Sequence, residues 1–150
     1  MKFPSVRGVD LNGRSLALPS DLGPGSTFAI VAFDLRQRAQ IESWQPFLRE
    51  LGEHRLAQGR LFAVYARALE TMSGMMRSAL RAAAPDERVR AATFLMAVDL
   101  DVFCAALEIR DQSLVHALLI DPTGDVVASE CGAFAAEAGR RLEVRLRGSL

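Results

Sequence analysis

The chain has 150 residues, half of them hydrophobic and 24% charged, and its 18 basic and 18 acidic side chains sum to zero. That length suits one domain, residues 1–150, burying roughly 70% of its unfolded surface. The apolar content excludes intrinsic disorder, and the zero charge gives no basic footprint for nucleic acid or an anionic membrane.

No apolar run approaches the roughly 18 residues of a membrane span. The start, Met1-Lys2-Phe3-Pro4-Ser5, has no apolar stretch of signal-peptide length, so a cytoplasmic protein is expected. Cys104 and Cys131 lie far apart and form no CxxC, which leaves neither a disulfide framework nor a zinc ligand set.

Asp10-Leu11-Asn12-Gly13-Arg14 carries Asn-Gly between short apolar stretches, the signal of a hairpin. Gly23-Pro24-Gly25 reads as a loop. Thr27 to Phe33 is a continuous apolar run, suited to a buried central strand. Ile41, Trp44, Leu48 and Leu51 then share one face of a helix, which Pro46 should kink and which should end near Gly52 or Gly59. Arg60 to Ala66 predicts a second strand, Leu69 to Ala84 a helix, and Thr93 to Val98 a third strand, with a buried helix segment as the alternative. Asp99 is placed to cap a short helix marked by Leu100, Phe103, Cys104 and Leu107. Leu114 to Ile120 is a fourth run, Asp121-Pro122-Thr123-Gly124 has turn chemistry, and Asp125 to Cys131 returns antiparallel. Phe134 to Leu146 predicts a last helix. The order implies an α/β fold: a mixed sheet with parallel strands, an antiparallel C-terminal hairpin and helices on both faces.

Three local features carry a resemblance. Val9 to Leu18 looks like a "D-x-x-G-x-x-x-x-L" opening, and Leu119 to Val126 like "L-I-D-x-x-G-x-V". Phe33 and Pro46 stand at the separation found in F-x4-C-x2-C-x4-P. Together these resemble the thioredoxin-like superfamily, in its peroxiredoxin-like branch. The resemblance implies a thiol pair at the start of the first long helix. Here it puts Arg38 at the nucleophilic cysteine and Ile41 at the resolving one. It also puts Val115 where that family has a proline, usually cis. A cis bond without proline costs about 3–4 kcal/mol, so a trans bond is expected. The site is therefore expected to be degenerate, with no catalytic residue at the usual place. Met76 to Ala106, including Val98-Asp99-Leu100-Asp101-Val102-Phe103, is similar in layout to the mitochondrial assembly-factor family for ATP synthase, whose members also carry a peroxiredoxin-like fold.

Asp34, Arg36 and Arg38 follow the central strand and open the first helix, where two arginines could hold a carboxylate or phosphate. His116 follows Val115 and should lie near them. These four are the candidate binding residues, set against the plainer reading of a capping aspartate and solvated arginines. His54 and His116 are too isolated for a metal site, and no cofactor motif is present. Cys104 reads as a core residue and Cys131 as a more exposed strand end. Met72, Met75 and Met76 suit helix packing, a dimer contact or an adaptable binding surface.

The expectation is a non-redox binding or assembly module, more an interaction protein than an enzyme. Its partner would be a protein or a small anionic ligand, and it could be a homo-oligomer. The alternatives are a redox enzyme, a thiol peroxidase or oxidoreductase, using Cys104 or Cys131 in a non-standard position, and a small anionic-ligand binder.

Overall fold

A computed structural model describes residues 1–148 of the chain. One seven-stranded sheet runs through it, in the order β2-β1-β5-β4-β3-β6-β7. The strands are β1 (Val6–Asp10), β2 (Ser15–Leu18), β3 (Thr27–Ala32), β4 (Gln58–Ala66), β5 (Thr93–Val98), β6 (His116–Ile120) and β7 (Val126–Cys131). β3, β4 and β5 are parallel, while β1, β2, β6 and β7 join by antiparallel pairings. The helices are α1 (Arg38–Glu53), α2 (Ser73–Ala83), α3 (Glu87–Ala92), α4 (Leu100–Ala106) and α5 (Ala136–Gly148). The mixed sheet and its two hairpins agree with the expected fold class.

β3 is buried at every position, as its unbroken apolar run requires of a central strand. Its alternate side chains feed two cores. Phe28, Ile30 and Ala32 pack with Trp44 and Leu51 of α1, Val115, Ala117 and Leu119 of the β6 segment, and Leu142 and Leu146 of α5. Ala29 and Val31 face the other way, among Phe62, Val64, Phe94, Met96 and the α4 residues Phe103 and Cys104.

Several boundaries differ from the sequence reading. α1 is continuous through Pro46 and ends at Glu53, just after Gly52 as expected, while Gly59 lies inside β4. The expected helix from Leu69 to Ala84 divides into a 3-10 segment, Arg67–Met72, and α2. Leu69, Met72 and Met75 stay exposed along it.

The two Asp-Gly turns share one construction. Asp10 Oδ1 accepts from the N–H groups of Asn12 (2.9 Å) and Arg14 (2.8 Å). Asp121 Oδ1 does the same for Thr123 (2.9 Å) and Asp125 (3.0 Å). Each aspartate thus replaces a missing backbone partner, which is why Asp opens both loops. In the second turn Gly124 sits at φ +90°, and a Cβ there would lie 2.8 Å from Pro19 Cγ. Gly124→Ala is expected to cost about 1–3 kcal/mol from backbone strain. Urea unfolding measures it, and an unchanged midpoint would show that the turn adapts.

Candidate functional site

The carboxyl ends of the parallel strands β3, β4 and β5 share one edge of the sheet. Because β6 runs antiparallel to β3 and pairs His116 with Val31, the start of β6 reaches that edge too. The edge therefore gathers Phe33, Asp34, Arg36, the start of α1 and the loop 111–115.

All four candidate residues lie here, but their charges are already matched. Asp34 accepts from Arg36 through its backbone N–H and its guanidinium, the closest contacts being 2.8 Å. The Arg36 side chain holds the Asp34 carboxyl below the usual carboxylate range. The same contact raises the Arg36 guanidinium. Arg38 opens α1 and pairs with Glu42 one turn on, at 2.8 Å. Exposed pairs of this kind are screened by solvent, so they hold the side chains only loosely. His116 is half-buried, with its ring edge-on to Phe33 and Nε2 3.0 Å from the Asp111 carbonyl.

The edge is fastened by residues that the sequence reading passed over. Gln37 is buried at the start of α1. Its Oε1 accepts from the N–H groups of Phe33 (2.7 Å) and Asp34 (3.2 Å), and its Nε2 donates to the Gln112 carbonyl (2.7 Å). Gln40, one turn on, accepts from Val115 N–H at 2.9 Å and donates to the Ser113 carbonyl at 3.2 Å. Ser43 Oγ accepts from Phe134 N–H (2.9 Å), and Trp44 Nε1 donates to the Gly132 carbonyl (2.9 Å). Residues 37, 40 and 44 recur at helical spacing, so one stripe of α1 ties the loop 111–115 and the segment 132–134 together.

Within the loop, Asp111 Oδ1 accepts from both the hydroxyl and the N–H of Ser113. The Ser113 hydroxyl is the main reason that the Asp111 carboxyl sits below its ordinary range. The sole cis peptide among the described residues is Leu18–Pro19, so the bond before Val115 is trans, as expected.

Neither thiol lies on α1. Cys104 is buried on α4, where Gln112 Nε2 donates to its sulfur at 3.6 Å. Burial pushes that thiol up and so disfavours the thiolate nucleophile. Cys131 is exposed at the end of β7. Among the described residues no three His, Cys, Asp or Glu side chains come together as a metal site.

Two clefts lie elsewhere. One, of about 210 Å³, is lined by Phe47, His54, Phe134 and Arg140 between α1 and α5. The other, of about 480 Å³, runs between β7 and α5. Neither is lined by Asp34, Arg36, Arg38 or His116. No described helix is long and apolar enough to cross a membrane.

No protein-family model matches the sequence, and no curated protein is significantly similar to it. Solved structures are similar in fold. Yeast Sco1 superposes with a TM-score of 0.65 at 13% identity, over 99% of this chain and 96% of that one. The exposed lipoprotein thioredoxin Etrx1 of Streptococcus pneumoniae gives 0.61 at 10%, over 97% and 99%. The thioredoxin domain of a thiol-disulfide oxidoreductase from Bacteroides vulgatus gives 0.59 at 19%, over 97% and 96%. The chain has a thioredoxin-like fold.

Proposed function

We propose that this chain, as one domain over residues 1–150, is a non-redox binding module of assembly type on a thioredoxin-like frame. Its recognition surface would be the carboxyl edge of the parallel strands. One observation carries the reading. The start of α1 holds Arg38 and Ile41 where the resemblance expects thiols, and Gln37 and Gln40 tie the surrounding backbone into a fixed corner. Thiol-disulfide exchange needs a thiolate, commonly one activated at a helix start, and neutral amides supply none. What such a corner supplies is a rigid shape. The exposed Leu69, Met72 and Met75 follow β4 at the same edge and offer adaptable apolar contact area, as methionines do at binding surfaces. A second copy of this chain is one partner that such a surface could take.

The neighbours named for thiol-disulfide exchange favour the opposing reading, a redox enzyme working through Cys104 or Cys131. Peroxide-reduction assays with hydrogen peroxide, and dithiothreitol as reductant, separate the two. The expected result is no turnover above buffer. Turnover that disappears in Cys131→Ser or Cys104→Ser overturns the proposal. Affinity capture with the wild-type chain should lose its partner in Leu69→Glu/Met75→Glu.

The small-anion reading keeps Asp34, Arg36, Arg38 and His116 as its residues. The loosely held arginines at the start of a 16-residue helix favour it. It requires phosphate or citrate to raise the melting temperature of the wild type but not of Arg36→Ala/Arg38→Ala.

A further inference from the structure

We infer that Cys131 is a modification site: a thiol that forms a mixed disulfide with a low-molecular-weight disulfide, with His116 as its base. The inference is independent of the binding reading, because it concerns one stoichiometric reaction and not turnover.

The register of β6 and β7 carries it. Counted back from the Ile120–Val126 couple without interruption, His116 would face Glu130. The ladder instead shifts by one between Leu119 and Ile120, so that Leu119 pairs with Ala128 and His116 with Cys131. Val127 is the extra residue of this bulge, and Arg145 donates to its carbonyl at 2.8 Å. Beyond the pair, Gly132 N–H donates to the Val115 carbonyl at 2.8 Å. With 115 and 132 hydrogen-bonded, His116 and Cys131 occupy the adjacent non-hydrogen-bonded position. There Cα atoms lie about 4.5 Å apart and the side chains leave the same face at their closest spacing.

The histidine is prepared for a base's role. Its Nε2 lies 3.0 Å from the Asp111 carbonyl, which can only accept, so Nε2 carries the hydrogen. The neutral ring then keeps its lone pair on Nδ1, the nitrogen nearer the strand. Phe33 stands edge-on to the ring and limits its rotation. The step requires rotation about the Cys131 Cα–Cβ bond to bring sulfur and Nδ1 together, as catalytic pairs often close only when a reactant arrives. The thiol itself is exposed, so a disulfide can reach it.

In the step, Cys131 Sγ gives its proton to His116 Nδ1, and the thiolate attacks one sulfur of glutathione disulfide. A bond forms from Sγ to that sulfur, the original S–S bond breaks, and the second glutathione leaves as a thiolate that takes the proton from the imidazolium. The Cys131 sulfur is oxidised and one glutathione reduced. The sequence has one other cysteine, Cys104, and it is buried, so the mixed disulfide persists.

The test treats the full chain at neutral pH with glutathione disulfide and, separately, with 4,4′-dithiodipyridine. Stopped-flow absorbance follows the rate and peptide mapping the site. One thiol per chain should react, at Cys131, at least about tenfold faster than free glutathione does. His116→Gln keeps an N–H for the Asp111 carbonyl but has no titratable nitrogen. It should slow the reaction about tenfold with its melting temperature little changed. If that variant does not fold, His116→Asn carries the same comparison. Three results overturn the inference: a Cys131 rate no higher than that of free glutathione, a folded histidine variant reacting at the wild-type rate, or modification mapping to Cys104.

Discussion

Gln37→Ala is expected to lower the stability of the fold by about 3 kcal/mol, a large loss for one uncharged side chain. The amide serves three backbone groups at once: the N–H groups of Phe33 and Asp34 and the carbonyl of Gln112. An unsatisfied buried polar group costs about 1–3 kcal/mol, and truncation leaves three groups in search of partners. Asp34 is exposed and Phe33 half-buried, so water relieves part of the cost on that side. The Gln112 contact spans 75 positions in sequence, so its loss also frees the loop that carries Asp111 and leads into His116. For a domain of this length each kcal/mol moves the melting temperature by about 2–4 °C, which puts the expected drop at roughly 6–12 °C.

Gln37→Glu sharpens the test. It keeps the two accepted bonds but turns a carboxylate toward the Gln112 carbonyl. The folded chain would then favour the protonated acid, raising that group's folded value above its unfolded one. The variant's stability should be fullest below the ordinary glutamate range and fall as pH rises through it. An unchanged urea midpoint for Gln37→Ala, or a Gln37→Glu penalty that does not ease on acidification, would remove the amide clamp from the account of this edge.

What the sequence made legible follows the range of the forces involved. Both Asp-Gly turns and the Asp99 cap are local: an aspartate oxygen and an N–H two to four residues on decide them. The buried run of β3 needs no partner to be read, because a strand covered on both faces is apolar throughout. The division of Leu69 to Ala84 was not legible, since 3-10 and α segments share nearly the same apolar spacing. Gln37 and Gln40 read as ordinary helix-surface residues, because a neutral amide announces no chemistry. The available signal was that they stand seven and four residues before Trp44, on the stripe that turned out to face the loops. Of the four candidates, Asp34, Arg36 and Arg38 were placed by following one strand into one helix. His116 needed a pairing across the sheet. Its facing of Cys131 depends on one bulged residue, Val127, and a one-residue slip changes every pair beyond it. No pattern in Val126 to Cys131 specifies that slip.

Trp44→Ala is expected to cost about 3–5 kcal/mol, the range for deleting a buried aromatic ring. Trp44 is fully enclosed, between the Phe28 ring at 5.7 Å, Phe47 at 5.8 Å and Phe134 at 5.2 Å. Its Nε1–H also holds the Gly132 carbonyl, the residue after Cys131. The two contributions separate in Trp44→Phe, which keeps most of the apolar ring and removes the donor. That variant should lose about 1–2 kcal/mol for the orphaned carbonyl and the small void, and Trp44→Ala the remainder. Because the chain has a single tryptophan, far-ultraviolet circular dichroism must follow the urea unfolding. If Trp44→Phe costs as much as Trp44→Ala, the hydrogen bond to Gly132 and not ring packing fixes α1 against the end of β7. If it costs nothing, the Gly132 carbonyl finds water, and that stretch of chain is held by the apolar contacts of α1 and α5 alone. In the expected middle case both act together. The end of β7 is then fixed from both sides, by Trp44 through Gly132 and by the Val127 bulge, and the register that sets Cys131 opposite His116 is maintained by contacts outside the pair itself.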